Sequence, residues 1–318
     1  MNSARVIGVR SVELGVRDLN QSSTFYKDVW GLEEVATESN ALYLRGTGRD
    51  HHLLALREQG KASLLAVDFE AADRDAVNQL HAKAKGYGVT IFGDPAPRPA
   101  FEGGGYGFKF HTPDGLPIRI TCGIGQHQDT TIDRSRPTKI AHVVLNSGTT
   151  EAQIRFFVDV LGFKLTDSTH LMEFLRCSSD HHSMALFRNN GPSLNHIAYE
   201  VPDIDGLMRG SGRLKRNGFN VEWGIGRHGP GNNVFSYFIE PNGFVTEYTT
   251  EVEQIDDASH IYGDAAFWDR LPQKPDRWGM AGLPSNRMQL AMSGALYQSN
   301  AEPNSNERCE DIIGRKLG

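Results

Sequence analysis

Hydrophobic and polar residues follow the same order twice along the 318 residues of this chain. Residues 12–16 match residues 141–145, and residues 25–32 match residues 156–163. Two further matches join residues 44–56 to 175–186, with a shared Asp-His-His, and residues 110–115 to 238–243. An internal duplication explains the nearly constant offset of 128 to 130 residues between positions 13 and 142, 52 and 182, 66 and 196, and 119 and 247.

Each copy has the pattern of an α+β domain. A strand-like run, a helix with an aromatic pair and several strand-like runs occur in this order, and the order recurs within each copy. Strands outnumber helices. The pattern therefore predicts two tandem domains, each of two βαβββ modules that form a strand-rich, barrel-like sheet.

The duplication also sets the expected domain limits. Residues 1–123 form an amino-terminal domain and residues 139–253 a carboxy-terminal one, joined by a polar linker at 124–138. Residues 254–297 supply large aromatic side chains after the repeat ends, and we expect them to pack on the second domain. Residues 298–318 are rich in Asn, Ser and Glu, which predicts a disordered tail.

Composition excludes several classes of protein. The 39% of hydrophobic residues is enough for two cores, and a net charge of −6 without a basic stripe argues against nucleic acid as a partner. No run approaches the roughly 20 apolar residues that span a bilayer, and no signal-peptide pattern begins the chain, so we expect a cytoplasmic protein without a membrane partner. The far-apart Cys122, Cys177 and Cys309 favour reduced thiols over disulfides or a thiolate zinc site.

Three residues in strand-like runs have the character of metal ligands: His142, His196 and Glu247. A single His or Glu in a strand is more often a satisfied structural residue. Two imidazoles and one carboxylate buried together, however, are costly to desolvate without a shared partner, and a metal ion supplies one. An N,N,O set that leaves open coordination positions is typical of ferrous oxygenases. The sequence therefore predicts a metal site at these three residues.

The alignment assigns this site to one copy only. The first copy places Glu13, Ala66 and Arg119 opposite the three predicted ligands. A methyl group and a cation do not coordinate a metal. We therefore expect the amino-terminal domain to be a scaffold or an oligomer surface.

The Asp-His-His motif offers a candidate acid or base. Alternate side chains of a strand face opposite sides, and His182 shares its side with Met184 and Leu186. We therefore predict that His182, rather than His181, faces the metal. A buried structural histidine is the alternative, because His52 occupies the equivalent place in the copy without ligands.

His228 and Tyr237 are further candidates, since Tyr237 lies one strand before Glu247 and both rings are within reach of a bound substrate. The alternatives are a loop histidine and a core tyrosine with a hydrated hydroxyl. Residues 224–229 also fit the pattern GxGxxG. A strand-like run, rather than a helix, follows them, so we expect no dinucleotide cofactor.

These residues together resemble a known family. The spacing of Gly226-Arg-His228, Tyr237, Glu240-Pro-Asn-Gly243 and Glu247 is similar to that of the type I extradiol ring-cleaving dioxygenases. Those enzymes belong to the vicinal oxygen chelate, or glyoxalase and bleomycin resistance, superfamily. The resemblance covers residues 8–253. It departs at Ser236, where the family usually has an apolar residue, and after His228, where biphenyl-type members often carry an Asp.

The resemblance implies a specific set of roles. His142, His196 and Glu247 are the ligands of Fe(II), less often Mn(II), and O2 is the co-substrate. His182, with His181 beside it, corresponds to the active-site acid/base, while His228 and Tyr237 correspond to the pair that hydrogen-bonds the substrate oxygens. The implied reaction is oxidative cleavage of a catechol ring in the degradation of aromatic compounds.

Two alternatives remain at this point. A glyoxalase-like isomerase or thiol transferase uses the same scaffold without O2, but its site is commonly assembled between modules. Three ligands within one copy favour the dioxygenase. A protein that only sequesters a ligand would need no metal ligands. The spare amino-terminal domain also favours a homo-oligomer.

Overall fold

The computed structural model describes residues 4–130, 133–271 and 275–299. Residues 300–318, which make up most of the predicted polar tail, lie outside the described residues.

The first half has the predicted order of two βαβββ modules. Its helix α1 continues directly into a π-helical turn, and a short 3-10 turn precedes its last two strands. The elements are β1 (Val6–Val16), α1 (Leu19–Thr24), the π-helical turn Phe25–Trp30, β2 (Glu33–Glu38), β3 (Ala41–Arg45), β4 (Leu54–Glu58), β5 (Ser63–Ala71), α2 (Arg74–Tyr87), β6 (Ala96–Pro97), the 3-10 turn Ala100–Glu102, β7 (Tyr106–His111) and β8 (Pro117–Cys122).

The second half repeats the order of strands and helices, and three short helices follow it in the described part of the chain. The elements are β9 (Lys139–Ser147), α3 (Thr150–Arg155), the π-helical turn Phe156–Val160, β10 (Lys164–Ser168), β11 (Met172–Arg176), β12 (Met184–Arg188), β13 (Ser193–Glu200), α4 (Ile204–Arg216), β14 (Trp223–Arg227), β15 (Val234–Ile239), β16 (Val245–Thr250), α5 (Ala265–Asp269), α6 (Asn286–Met292) and α7 (Ala295–Gln298).

Each half forms one eight-stranded sheet in which the two modules meet at their first strands. The strand order β2-β3-β4-β1-β5-β8-β7-β6 is repeated as β10-β11-β12-β9-β13-β16-β15-β14. The modules join through antiparallel pairs, β1 with β5 and β9 with β13. The predicted α+β class with two tandem domains of paired modules is confirmed.

Alternate side chains of β9 face opposite sides of the sheet, so one side contributes to the core and the other to the site. Val143 and Leu145 belong to the main hydrophobic core, together with Leu207 and Leu214 of α4. His142, Val144 and Asn146 lie on the opposite face of the strand. Helix α4 therefore covers one face of the sheet, and the functional side chains project from the other.

One continuous core joins the two halves. The fully buried Trp30 of the first half stacks on Tyr248 of the second, with ring centroids 3.9 Å apart. Arg213 of α4 donates hydrogen bonds to the backbone carbonyls of Val29 and Trp30, both at 2.8 Å. The two sheets are thus parts of one packed body.

The structure corrects the alignment of the first strands by two residues. His142 pairs with Ala198 across β9 and β13. In the first half, the residue that pairs with Asp68, the counterpart of Ala198, is Ser11. Ser11, rather than Glu13, therefore occupies the place of His142. A shift of two residues keeps every side chain on its original face, so the hydrophobic pattern does not reveal it.

The segment after the repeat lies against the second half. Helices α6 and α7 bury Met288, Ala291 and Leu296 against Phe235 and Ile239. Among the helices of the described residues, none combines the length and the apolar character needed to cross a membrane.

Candidate metal centre

Three neighbouring strands bring the predicted ligands together. Ala198 of β13 pairs with His142 of β9 on one side and with Glu247 of β16 on the other. His196 lies two residues before Ala198, so its side chain projects from the same face. The ligands are therefore fixed by strand register rather than by loops.

Electron-rich atoms face one another in this triad. The Nε2 atoms of His142 and His196 lie 3.3 and 3.2 Å from Oε2 of Glu247. All three residues are buried, and one ligand atom from each fits within 4.8 Å. Nε2 of His196 and Oε2 of Glu247 have no hydrogen-bond partner among the described residues. Ligand atoms held at right angles about 2.1 Å from one ion are about 3 Å apart, so the triad fits a divalent metal ion.

A chain of amides orients the His196 ring. Nδ1 of His196 lies 2.8 Å from Oδ1 of Asn195, which only accepts, so Nδ1 carries the proton and Nε2 presents its lone pair. Asn195 donates in turn to Asn146, at 3.0 Å, and Asn146 donates to the backbone carbonyl of Met292 in α6. Burial also lowers the pKa of His196, which keeps the ring neutral. Such outer partners typically fix a ligand's tautomer and orientation.

Glu247 is held as a carboxylate. Burial alone would raise its pKa, but the imidazoles of His142 and His196 outweigh this effect and keep the pKa well below its usual range. Nδ2 of Asn233 lies 3.3 Å from Oε1 of Glu247 and 2.8 Å from the hydroxyl of Thr249. Asn233 therefore contacts the oxygen that faces away from the two imidazoles.

The structure places His182 beside the triad and His181 behind it. The rings of His182 and His142 are 4.1 Å apart, whereas Nε2 of His181 lies 3.0 Å from Oδ2 of Asp167. Burial, followed by the neighbouring His142, lowers the pKa of His182 well below its usual value.

The prediction that strand alternation directs His182 toward the metal was nevertheless wrong. Strand β12 begins at Met184, so the two histidines lie in the turn before it. Met184 and Leu186 also belong to the core between sheet and helices, not to the face of the site. The turn, rather than strand alternation, sends His182 toward His142.

His228 and Tyr237 form a hydrogen-bonded pair at the opposite side. Nε2 of His228 is 3.0 Å from the Tyr237 hydroxyl, and its Nδ1 is 2.9 Å from the backbone carbonyl of Pro275. Tyr237 lies directly across from Glu247 in the pairing of β15 and β16. Burial lowers the pKa of His228 to about 4, and burial together with the Glu247 carboxylate raises the pKa of Tyr237 well above its usual value.

Sequence reasoning missed the residues that support these side chains. Asn195, Asn233 and Asp167 are scattered through the second half, and Pro275 lies in the segment after the repeat. The one available signal was that Asn195 immediately precedes a predicted ligand. The other contacts depend on turns and on the packing of the final segment.

The equivalent place in the first half contains an ion-pair cluster. Arg119, aligned with Glu247, makes salt bridges with Glu13 and Asp68. Ser11 contributes a hydroxyl that lies 3.3 Å from Asp68. Desolvation would lower the pKa of Arg119, but Asp68 and Glu13 outweigh it and raise the pKa above its usual value. A fixed cation thus lies where the second half has a carboxylate ligand.

Comparison with known proteins gives a family match over both halves. The model of the glyoxalase/bleomycin resistance protein/dioxygenase superfamily matches residues 8–120 and 139–248.

Similar proteins include curated relatives and a solved structure. Metapyrocatechase 2 of Cupriavidus necator is 31% identical over 153 residues, or 46% of this chain. The iron-dependent extradiol dioxygenase of Rhodococcus jostii strain RHA1 is 32% identical over 138 residues, or 38% of this chain. The chain spans 46% of the length of each of these relatives. The crystal structure of the Mn(II)-bound glyoxalase from Novosphingobium aromaticivorans has a TM-score of 0.83 and 37% identity, covering 96% of this chain and 99% of that one.

Proposed function

Because the chain belongs to the glyoxalase/bleomycin resistance protein/dioxygenase superfamily, we propose that it is an extradiol dioxygenase that opens a catechol ring with O2. The observation that carries this proposal is the buried set of His142, His196 and Glu247, with unpaired ligand atoms directed at one another. Histidine and tyrosine side chains around the triad supply proton donors and acceptors. The names of the two curated relatives support the same reaction class.

Each part of the chain has a role in this proposal. Residues 139–253 are the catalytic domain, and residues 1–123 are a metal-free scaffold joined to it by the linker 124–138. Residues 254–297 support the catalytic domain by packing on it. The ion pair of Glu13 and Arg119 is the reason to assign no metal to the first half.

We assign Fe(II) to the site, with Mn(II) as the less favoured metal. Two neutral imidazoles and one carboxylate leave a divalent ion with a net charge of +1, and open positions then remain for substrate and O2. When bound, a redox-active ion of this kind supplies Lewis acidity toward the catechol oxygens and a path for electrons from the ring to O2. The named relatives include both an iron-dependent and a Mn(II)-bound protein.

His182 is the proposed acid/base. Its Nδ1 contacts His181, so its Nε2 is the nitrogen available to a substrate. Because the His182 ring is neutral at the start of the reaction, its Nε2 can accept a proton from a catechol hydroxyl. The same nitrogen later returns that proton to oxygen, a task suited to a histidine.

His228 and Tyr237 orient the substrate on the other side. Nδ1 of His228 is committed to the Pro275 carbonyl, which leaves Nε2 as an acceptor for the Tyr237 hydroxyl. Because the pKa of Tyr237 is raised, its hydroxyl stays protonated, and it can turn from Nε2 of His228 to donate its one proton to an anionic substrate oxygen. Tyr237 would then stabilise negative charge on the substrate.

The proposal is tested with protein purified without oxygen and loaded with Fe(II). Monocyclic and bicyclic catechols are added anaerobically, and an oxygen pulse follows. We expect O2 uptake equal to the catechol consumed, and a yellow muconic semialdehyde-type product from cleavage beside the two hydroxyls. The Glu247→Gln variant is the matched negative control. The absence of both O2 uptake and new visible absorbance across the catechol panel would contradict the proposal, whereas turnover of a thiol adduct without O2 would indicate a glyoxalase-like reaction instead.

We also propose a cytoplasmic homo-oligomer in aromatic-compound catabolism. The first half, which lacks the triad, offers a surface for self-association. Light scattering on the purified holoprotein measures its mass, and a mass of one chain of 35.2 kDa would contradict this part of the proposal.

A further inference from the structure

A loop of the final segment, residues 275–281, contacts the strand that leads to His228. The N–H of Arg277 donates to the carbonyl of Arg227 at 2.6 Å, and the ring of Trp278 lies 5.1 Å from the Arg227 guanidinium carbon. The carbonyl of Pro275 accepts the Nδ1 proton of His228. The loop is thus joined to the catalytic half at two consecutive residues, Arg227 and His228.

The carboxylate of Asp276 organises this loop. It is buried and accepts four backbone N–H groups. Oδ1 accepts from Arg227 at 2.9 Å and Trp278 at 3.1 Å, and Oδ2 accepts from Met280 at 2.6 Å and Ala281 at 2.7 Å. Burial would raise the pKa of Asp276, but these N–H groups outweigh it and hold the pKa below its usual value. Charge-assisted bonds of this kind are stronger than neutral ones.

Gly226 makes room for this carboxylate. A Cβ atom at Gly226 would lie 2.7 Å from Oδ1 of Asp276 and 2.6 Å from the ring of Phe235. Both distances are well inside van der Waals contact. The glycine two residues before His228 therefore has a physical reason: it admits the side chain that joins strand β14 to the loop.

We propose that Asp276 is a positioning residue that acts through His228. By holding residues 275–281 against Arg227, it keeps the Pro275 carbonyl on Nδ1 of His228. Nε2 of His228 is then directed at Tyr237 in the acceptor form. This inference rests on the proposed function for its kinetic consequence, whereas the tautomer of His228 is measurable without turnover.

The principal variant is Asp276→Asn, which has the same shape but turns two of its acceptor positions into donors that oppose N–H groups. We expect kcat for catechol cleavage to fall about 10- to 100-fold, the usual effect of losing a partner that orients a site residue, with KM changed less than threefold and iron content unchanged. The matched control is Asp264→Asn, since Asp264 also caps a backbone N–H, that of Phe267, in the final segment. The control should change kcat less than twofold.

A double-mutant cycle tests whether Asp276 acts through His228. In the His228→Phe background, adding Asp276→Asn should lower kcat less than twofold further, because the residue through which it acts is gone. Effects that simply multiply would overturn the proposal.

The tautomer of His228 is measured by NMR of ¹⁵N-histidine-labelled, Zn(II)-loaded protein, with His228→Phe used for assignment. Wild-type protein should show the Nδ1–H form, and Asp276→Asn should lose it. If Asp276→Asn does not fold, Gly226→Ala, whose methyl group would press on the same carboxylate, should give the same loss. An unchanged tautomer in a folded variant would refute the role of Asp276. If wild-type protein consumes no O2 with any catechol, the proposed function fails, and the NMR comparison still decides this inference.

Discussion

The Nδ1 atoms of His181 and His182 lie 3.1 Å apart, and the first half repeats this contact between His51 and His52 at 3.0 Å. Nε2 of His181 donates to Asp167. In the neutral ring, Nδ1 of His181 is then an acceptor, and His182 must donate its own Nδ1 proton to it. Asp167 therefore determines, through His181, that Nε2 of His182 carries the free lone pair.

Replacing His182 should separate proton transfer from metal binding. We expect His182→Phe to lower kcat by roughly 10²- to 10⁴-fold, the usual contribution of a general acid/base, while Fe(II) stays bound. Stopped-flow measurement of O2 consumption and metal analysis check both parts. His52→Phe, at the equivalent place in the first half, is the control and should retain wild-type kcat. If the His182→Phe variant retained the wild-type kcat, His182 would not be the acid/base of the reaction.

Asn195 should control metal affinity without touching the metal. Replacing it with Leu removes the acceptor that fixes the Nδ1 proton of His196, so the ring can present the wrong tautomer. We expect Asn195→Leu to raise the dissociation constant for the metal about 10- to 100-fold. Competition with a chromophoric chelator measures this change. Asn217→Ala, at the end of α4, serves as the control, and equal affinities in all three proteins would contradict the prediction.

The shared core predicts that both halves unfold together. Trp30 is buried between Tyr199, Phe238 and Tyr248 of the other half. Trp30→Ala should therefore lower the free energy of unfolding by about 3–5 kcal/mol, the usual effect of removing a large core aromatic. Denaturation followed by probes in each half should give coincident transitions in the wild-type protein. Two separate wild-type transitions would show that the halves fold independently.

The features that could be predicted from the sequence are those determined by repeated segments and by apolar runs typical of strands. The duplication and the module order follow from matching segments, and the strands that carry His142, His196 and Glu247 follow from short apolar runs. Each lies as expected in the structure. The two-residue shift at Ser11 was invisible because it preserves the faces of a strand. The contacts made by the turns and by the final segment could not be predicted, because no periodic pattern marks them. The contact of Pro275 with His228 joins residues 47 positions apart through a loop that has no periodic signal.

Stability should depend on pH through Glu240, which lies in the turn between β15 and β16. Its side chain is 1% exposed and accepts hydrogen bonds from the backbone N–H groups of Asn242 and Phe244. Burial outweighs these bonds and raises the pKa of Glu240 from 4.5 to about 7. Between those two pH values, the folded protein keeps a proton that the unfolded chain has released. The contribution of Glu240 to stability is therefore complete below pH 4.5 and is lost as the pH rises through 7.

Glu240→Gln isolates this contribution, because an amide stays neutral at every pH. The free energy of unfolding of the wild-type protein, relative to this variant, should fall by roughly 3 kcal/mol between pH 4.5 and 7, since each pH unit in that window contributes about 1.4 kcal/mol. Urea denaturation at pH 5, 6, 7 and 8 measures the difference. Glu38→Gln, at an exposed position of β2, is the control variant. A difference that stays constant across the window would mean that Glu240 ionises like a solvated carboxyl group, and that its burial is compensated in full by the N–H groups of the turn.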